Sequence, residues 1–333
     1  MRRASLERSC ASDILTEQLT PIYDRQAQYN DTFATLTKDD AIFVIVLTYQ
    51  GCGSSYLVDI LNRNPDVFYM YEPFRLMKDK GMPFPRPIEA DRDILQKEVQ
   101  MYEQLNRCEL DRLPIGSNLM EDEMVVEYNR PMERYSSCLK LKKPVDYCIQ
   151  EAVDICTNRK VKMTKVVRGT MEGIGAFLEK QTTTKNIKII HLLRDPRGEI
   201  NSRMHTKWAG YKHLSFKKKR IFVRDMCDRM SKDVLIRQKL EKLYPGVFMN
   251  ITHEEYSSHP KLFYEIFKFI GLKLEINEFV PIIESGGFDV NKWVKDLDRD
   301  IAEMIDEVCA KTYAQIGYTP MSIKDMSVRH VRD

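Results

Sequence analysis

The stretch TYQGCGSSY, residues 48–56, puts two glycines and two adjacent serines in a turn between an apolar run and a run with helical spacing. A strand that ends in such a turn and feeds a helix aims several backbone N–H groups and two hydroxyls at one point, which suits a phosphate. Gly51, Cys52, Gly53, Ser54 and Ser55 are therefore candidate anion ligands. A phosphate cradle ordinarily adds a Lys or Arg, and this turn has none. The second stretch is KIIHLLRDPRGEINSRM, residues 188–204. Arg194 ends its apolar run, and Ser202 follows eight residues later on the next helix, so the two converge above a sheet. They suit a second phosphate, with charge-assisted bonds from Arg194 and a hydroxyl from Ser202. Taken alone, Arg194 reads as a salt-bridge partner of Asp195 or of another carboxylate. Its occurrence beside a phosphate turn favours the anion site, because ligands of open α/β sheets sit at the carboxyl ends of strands.

The elements that must position these groups follow from periodicity. AIFVIVL (Ala41–Leu47) is continuously apolar and β-branched, the pattern of a central parallel strand covered on both faces. SSYLVDILNRN then carries Leu57, Ile60 and Leu61 on one helical face and stops at Asn64-Pro65. DVFYMY, VKMTKVV (Val161–Val167), NIKIIHLL (Asn186–Leu193) and GVFMNIT read as further strands. Helices are expected at about Arg92–Asn106, from Pro196, over about Phe222–Leu243, and in HPKLFYEIFKFIGL with its stripe of Leu262, Ile266, Phe269 and Ile270. Alternating strands and helices predict a parallel sheet with helices on both faces. Residues 1–38 read as a polar stem or arm. The region Phe74–Lys160 is irregular and reads as an insertion over the sheet. GTMEGIG, residues 169–175, reads as a pair of packing or capping glycines.

Composition narrows the class. With 30% charged and 43% hydrophobic residues the chain is ordinarily globular. A net charge of +3 is too small to argue for nucleic acid. The basic runs KLKK (Lys140–Lys143) and FKKKR (ending at Lys217–Arg220) are either solvated faces or anion-facing patches. Among eight cysteines, Cys138, Cys148 and Cys156 cluster without any C-x-x-C pair, so zinc is not indicated. At least one disulfide is expected, with its pairing open. With the sequons at Asn30 and Asn250, the cysteines point to the secretory pathway. No apolar stretch approaches the roughly 20 residues of a membrane span, and the amino end lacks a signal peptide's apolar core. A membrane anchor is accordingly expected outside this sequence. The turn lacks both G-x-x-x-x-G-K-[ST] and G-x-G-x-x-G, which disfavours a nucleoside triphosphatase, a kinase or a dinucleotide enzyme.

TYQGCGSSY resembles the 5′-phosphosulfate-binding loop of sulfotransferases, and RDPRGEINSR their 3′-phosphate-binding segment, including the Arg-to-Ser spacing. NPDVFYMYEPF is similar to the segment after the first helix in Golgi-type galactose or N-acetylglucosamine 6-O-sulfotransferases. HEEYSSHPKLFYEIFKFIGL, Lys292-Trp293, Cys309 and Gly317-Tyr318 follow the family's C-terminal order. The matches run from about Ala41 to Tyr318. The resemblance implies a three-layer α/β sulfotransferase fold over residues 39–320, with an acceptor-side insertion at 74–160 and a tail at 321–333. It implies transfer of a sulfuryl group from 3′-phosphoadenosine-5′-phosphosulfate to a hydroxyl of a glycan or glycosaminoglycan, with no metal, in the Golgi lumen in a type II membrane protein. By that analogy the loop binds the 5′-phosphosulfate, Arg194 and Ser202 the 3′-phosphate, and Glu72 is the base. Glu72 reads otherwise as a structural carboxylate paired with Arg75 or Lys165. The family has Lys or Arg where this chain has Gly51. Lys165, Arg168, Arg75 and Arg203 are the candidate replacements, and Lys165 is favoured because it lies near another strand's carboxyl end. The alternative is a catalytically silent relative that binds the nucleotide or a sulfated glycan.

Overall fold

Ile42–Leu47 is buried at every position and forms β1. A strand apolar on both faces must lie inside a sheet with both faces covered, and β1 pairs in parallel with β3 (Val161–Val166) on one side and β4 (Ile187–Leu193) on the other. β2 (Val67–Tyr71) extends the sheet beyond β3, and β5 (Phe248–Thr252) lies outside β4. The order is β2-β3-β1-β4-β5, all parallel. From β1 the chain steps outward to β2 in one direction and later continues to β4 in the other. The crevice at the carboxyl end of β1 is thus the point where the strand order reverses, the place where such sheets bind ligands. In this computed structural model the described residues are 41–76, 92–113, 133–206, 211–259, 261–274 and 289–321. The stem expected at 1–38, part of the 74–160 insertion, and residues 322–333 of the tail lie outside them.

Helices cover the sheet. α1 (Ser54–Asn62) leaves the turn after β1, and α2 is Arg92–Arg107. The middle region, which shows no sustained periodicity in sequence, contains α3 (Glu133–Lys140) and α4 (Val145–Thr157). α5 is Met171–Glu179 and α6 is Pro196–His205, with Pro196 in the first turn and Asp195 capping it through Arg197 N. α7 spans Phe216–Leu243, six residues longer at its start than periodicity indicates. The basic run is its first turn: Ser215 caps it through Lys218 N, and its charge hides the helical signal. α8 (His253–Ser258) starts with a capping box between Thr252 and Glu255. α9 is Lys261–Phe269, α10 Lys292–Asp296, α11 Arg299–Val308 and α12 Ala310–Ile316.

The glycines of GTMEGIG pack, and the cap is Thr170 rather than a glycine. Thr170 is the N-cap of α5, and the fully buried carboxylate of Glu98 accepts from Thr170 N, from Thr170 Oγ1 at 3.1 Å and from the Tyr102 hydroxyl at 3.2 Å. A Cβ at Gly173 would lie 2.2 Å from Glu98 Cδ, so only glycine lets α2 carry that carboxylate into place.

Among the described residues three disulfides join Cys108–Cys156, Cys138–Cys148 and Cys227–Cys309, and Cys52 is free and buried. The first closes a separation of 48 residues and ties α2's exit to the end of α4. Chain-entropy arguments put such a link at about 4 kcal/mol. Peptide mapping of the protein isolated without reductant is expected to return these three pairs, and a fully reduced set of thiols would contradict them.

Candidate active site

The turn after β1 needs glycine at two positions. Gly51 has φ +97° and Gly53 φ +75°, values that side chains with a Cβ rarely adopt. Gly53 is also boxed in: a Cβ there would lie 2.4 Å from both His253 Nδ1 and the Tyr256 hydroxyl oxygen. Tyr256 donates to the Gly53 carbonyl at 3.0 Å, which leaves the His253 Nδ1–H to donate to the Tyr256 oxygen at 2.6 Å. Burial, and then Arg194, lower the His253 pKa from 6.5 to about 3, so the imidazole is neutral. His191, buried within β4, is likewise lowered to about 3. An unfolded chain takes up protons on these groups below about pH 6.5 and the native state does not, so stability falls with pH from 6.5 toward 3. Tm is expected to drop on acidification through that window, with a shallower slope in His253→Gln. An equal slope would show that His253 is charged in the native state.

Gly51 backs onto α6. Its Cβ would meet the Glu199 carbonyl oxygen at 3.0 Å and Ser202 Cβ at 3.5 Å. Arg194 Nη1 donates to the Gly51 carbonyl at 2.7 Å, and the Arg194 side chain crosses the first turn of α6 over Gly198, where a Cβ would lie 2.8 Å from its Nε. The fold thus brings Arg194 and Ser202 to the same loop residue. The Arg194–Asp195 ion pair that the bare sequence suggests is not the one formed: Asp195 holds Arg197 at 2.8 Å, and Arg194 turns to the loop. Under the turn, Arg203 pairs with buried Glu199 at 2.7 Å and donates to Gln50 Oε1 at 2.9 Å, while Cys52 Sγ points at Glu199 Oε2 from 3.6 Å. Desolvation raises the Glu199 pKa against the opposing pull of Arg203, and burial pushes the Cys52 thiol up, so the cysteine is no nucleophile here.

The third wall is the end of β2. Glu72 takes a positive φ of 35° and accepts from Lys165 Nζ at 3.0 Å and Arg168 Nη1 at 3.2 Å. Lys165, at the carboxyl end of the adjacent β3, is almost fully buried; its Nζ also lies 3.3 Å from Ser55 Oγ and 4.4 Å from the centre of the Tyr71 ring. Desolvation lowers the Lys165 pKa and Glu72 opposes the shift. A single ammonium therefore links the carboxylate to the glycine turn. The expected Lys165 partner of Glu72 is found. Arg168 joins it, and Arg75 meets Glu72 through its backbone N–H at 2.9 Å.

Two observations bear on what the turn can hold. Gly53, the N-cap of α1, offers no side-chain cap; Tyr56 N–H bonds back to the Gly53 carbonyl at 3.1 Å, and the N–H groups of Ser54 and Ser55 can serve an anion. Arg194 Nε is buried without a hydrogen-bond partner, a donor a bound anion can satisfy. The donor set is cationic and N–H-rich and fits phosphate. Among the described residues no group of three or more His, Cys, Asp or Glu could hold a metal.

Sequence reasoning missed His253, Tyr256 and Glu199. HEEY lies just ahead of the helix expected in HPKLFYEIFKFIGL, and Glu199 falls inside RDPRGEINSR with no signal of its own. Only the approach of α8 and α6 to the turn turns them into loop supports.

The chain is thus an α/β protein with a parallel sheet, a glycine turn at its switch point, and cations and carboxylates around that turn. The chain belongs to the family described as "Sulfotransferase domain", whose match covers residues 42–292. It is 24% identical to carbohydrate sulfotransferase 1 of Mus musculus, over 83% of this chain and 79% of that protein, and 22% identical to carbohydrate sulfotransferase 1 of Danio rerio, over 87% and 82%. A solved sulfotransferase from Alicyclobacillus acidocaldarius aligns over 88% of this chain and 96% of its own with 16% identity and a TM-score of 0.44.

Proposed function

We propose that this protein transfers a sulfuryl group from 3′-phosphoadenosine-5′-phosphosulfate to a hydroxyl of a glycan. The observation that carries this is the continuous line Glu72–Lys165–Ser55, which joins a carboxylate, a cation and the glycine turn. The turn residues Gly51, Cys52, Gly53, Ser54 and Ser55 hold the 5′-phosphosulfate, and Arg194 with Ser202 holds the 3′-phosphate. In transfer, the acceptor oxygen bonds to sulfur, the bond from sulfur to the phosphate oxygen breaks, and the acceptor proton passes to a Glu72 oxygen. Protonation of Glu72 removes the charge that held Lys165, so the ammonium is released toward the loop as the leaving phosphate gains charge. Lys165 thereby takes the role for which Gly51 has no side chain. Preorganised donors at such a centre contribute about 10²–10³ in rate each.

The three disulfides and the exposed sequon residue Asn250 on edge strand β5 support work in the oxidising secretory lumen, and the resemblance to Golgi-type sulfotransferases favours the Golgi. A thermal-shift titration with 3′-phosphoadenosine-5′-phosphate tests the binding half directly. Binding to the native state must raise Tm by mass action; no shift at millimolar nucleotide would overturn the reading.

Arg194→Ala is expected to weaken that nucleotide by about 1.5–3 kcal/mol and Ser202→Ala by nearer 1 kcal/mol. Arg194 also holds the Gly51 carbonyl, so some loss is shared with the nucleotide lacking its 3′-phosphate. The loss specific to the 3′-phosphate must exceed it, and equal losses for the two nucleotides would reassign the site.

A further inference from the structure

The start of α7 carries a charge pattern that the fold does not use. Lys217, Lys218 and Lys219 follow one another in its first turn, the first two exposed and Lys219 half-buried, with Lys212 and His213 exposed in the 3₁₀ turn just before. No acidic residue lies in that first turn. Like charges crowd there at the positive end of the helix dipole, which opposes helix formation. The neighbouring cations are neutralised: Arg220 pairs with Glu307 and Arg224 with Asp225. Among the described residues no carboxylate pairs with Lys212, Lys217, Lys218 or Lys219. Phe216, half exposed, and Ile221 stand at the same end.

This patch adjoins the transfer site. Tyr211 packs edge-on against Phe222 with ring centres 5.1 Å apart, and Lys219 Nζ lies 5.9 Å from the centre of the Tyr211 ring. Arg203 stacks over Phe222 at 4.8 Å, and the same guanidinium donates to Gln50 in the turn. Three side chains, Tyr211, Phe222 and Arg203, thus link Lys219 of this run to Gln50 in the glycine turn.

We infer that the Lys212–Lys219 face is a binding track for a polyanionic glycan, one bearing sulfate or carboxylate groups along its length, and that it holds the acceptor chain beside the transfer site. The choice of a glycan as occupant rests on the function proposed above. The sign and continuity of the charge, leading to the turn, favour a long anionic chain over a membrane surface, which would call for more apolar side chains than Phe216 and Ile221. Local potential of this kind raises the capture rate of a polyanion and fades with salt.

The test measures binding to immobilised dextran sulfate in about 0.15 M salt. Neutral dextran and vesicles of phosphatidylcholine with phosphatidylserine serve as further arms. The triple variant Lys217→Glu/Lys218→Glu/Lys219→Glu is compared with Lys140→Glu/Lys142→Glu/Lys143→Glu, which makes the same charge change on another exposed basic run. The first variant is expected to lose dextran sulfate binding by roughly tenfold or more, with a flatter salt dependence, while the second stays near wild type. Equal losses would reduce the effect to net charge and overturn the track. Binding to anionic vesicles that equals or exceeds binding to dextran sulfate would overturn the choice of occupant. The shift with 3′-phosphoadenosine-5′-phosphate, measured on the same samples, stays at the wild-type value if both variants fold. Its absence from wild type would instead count against the proposed reaction, whatever the dextran sulfate result.

Discussion

Glu72→Gln is expected to lower sulfate transfer by roughly 10²–10⁴-fold while the nucleotide-induced thermal shift stays within error of wild type. Gln keeps the shape and still accepts a hydrogen bond from Lys165, but it takes no proton from the acceptor. The loss therefore falls on kcat rather than on the donor's KM. Lys165→Met is expected to be nearly as damaging for a different reason. It removes the buried ammonium that reaches Ser55 Oγ at 3.3 Å, and it leaves the Glu72 carboxylate with Arg168. If Glu72 were only a structural partner of Lys165 and Arg168, Glu72→Gln would lower Tm and leave kcat unchanged.

The second large effect concerns Gly51. A lysine at this position would have the side chain that the family resemblance implies, yet the geometry here opposes it. The backbone sits at φ +97°, and a Cβ would press on the Glu199 carbonyl at 3.0 Å, backbone that has little freedom to move. Forcing a residue with a Cβ into such a region costs about 1–3 kcal/mol, so Gly51→Lys is expected to lower Tm by roughly a few degrees and to bring no gain in transfer. On the proposed mechanism Lys165 supplies the cation from β3, and a second one at the turn has no vacant role. A Gly51→Lys protein with unchanged Tm and raised transfer would show instead that the wild-type site is silent for want of that charge.

Most of the frame was legible because burial on both faces leaves a plain signal. Val44, Ile45 and Val46 in β1, and the apolar runs of β3 and β4, mark central strands from composition alone. The turn was legible because Gly51 and Gly53 have few other uses between a strand and a helix. The middle region was not, since α3 and α4 are held in place partly by the Cys138–Cys148 and Cys108–Cys156 links, and pairing is not encoded in spacing. The start of α7 was hidden by its own lysines, which carry no helical stripe. At the site, Glu72 and Lys165 could be named from sequence as alternatives, base or ion-pair partner. Register puts them side by side: β2 and β3 pair in parallel with Tyr71 opposite Lys165, so the next residue, Glu72, meets the ammonium. His253 and Tyr256 were illegible, because their role depends on α8 reaching the turn across some 200 residues of chain.

The most direct test of the account is transfer of radiolabelled sulfate from 3′-phosphoadenosine-5′-phosphosulfate to a glycan panel, by wild type and Lys165→Met side by side at saturating donor. The account predicts labelled glycan with wild type, and a loss of about 10²-fold or more with Lys165→Met, both proteins still showing the nucleotide shift. A wild-type protein that binds the nucleotide and labels no glycan, or a Lys165→Met protein that transfers at the wild-type rate, would contradict it.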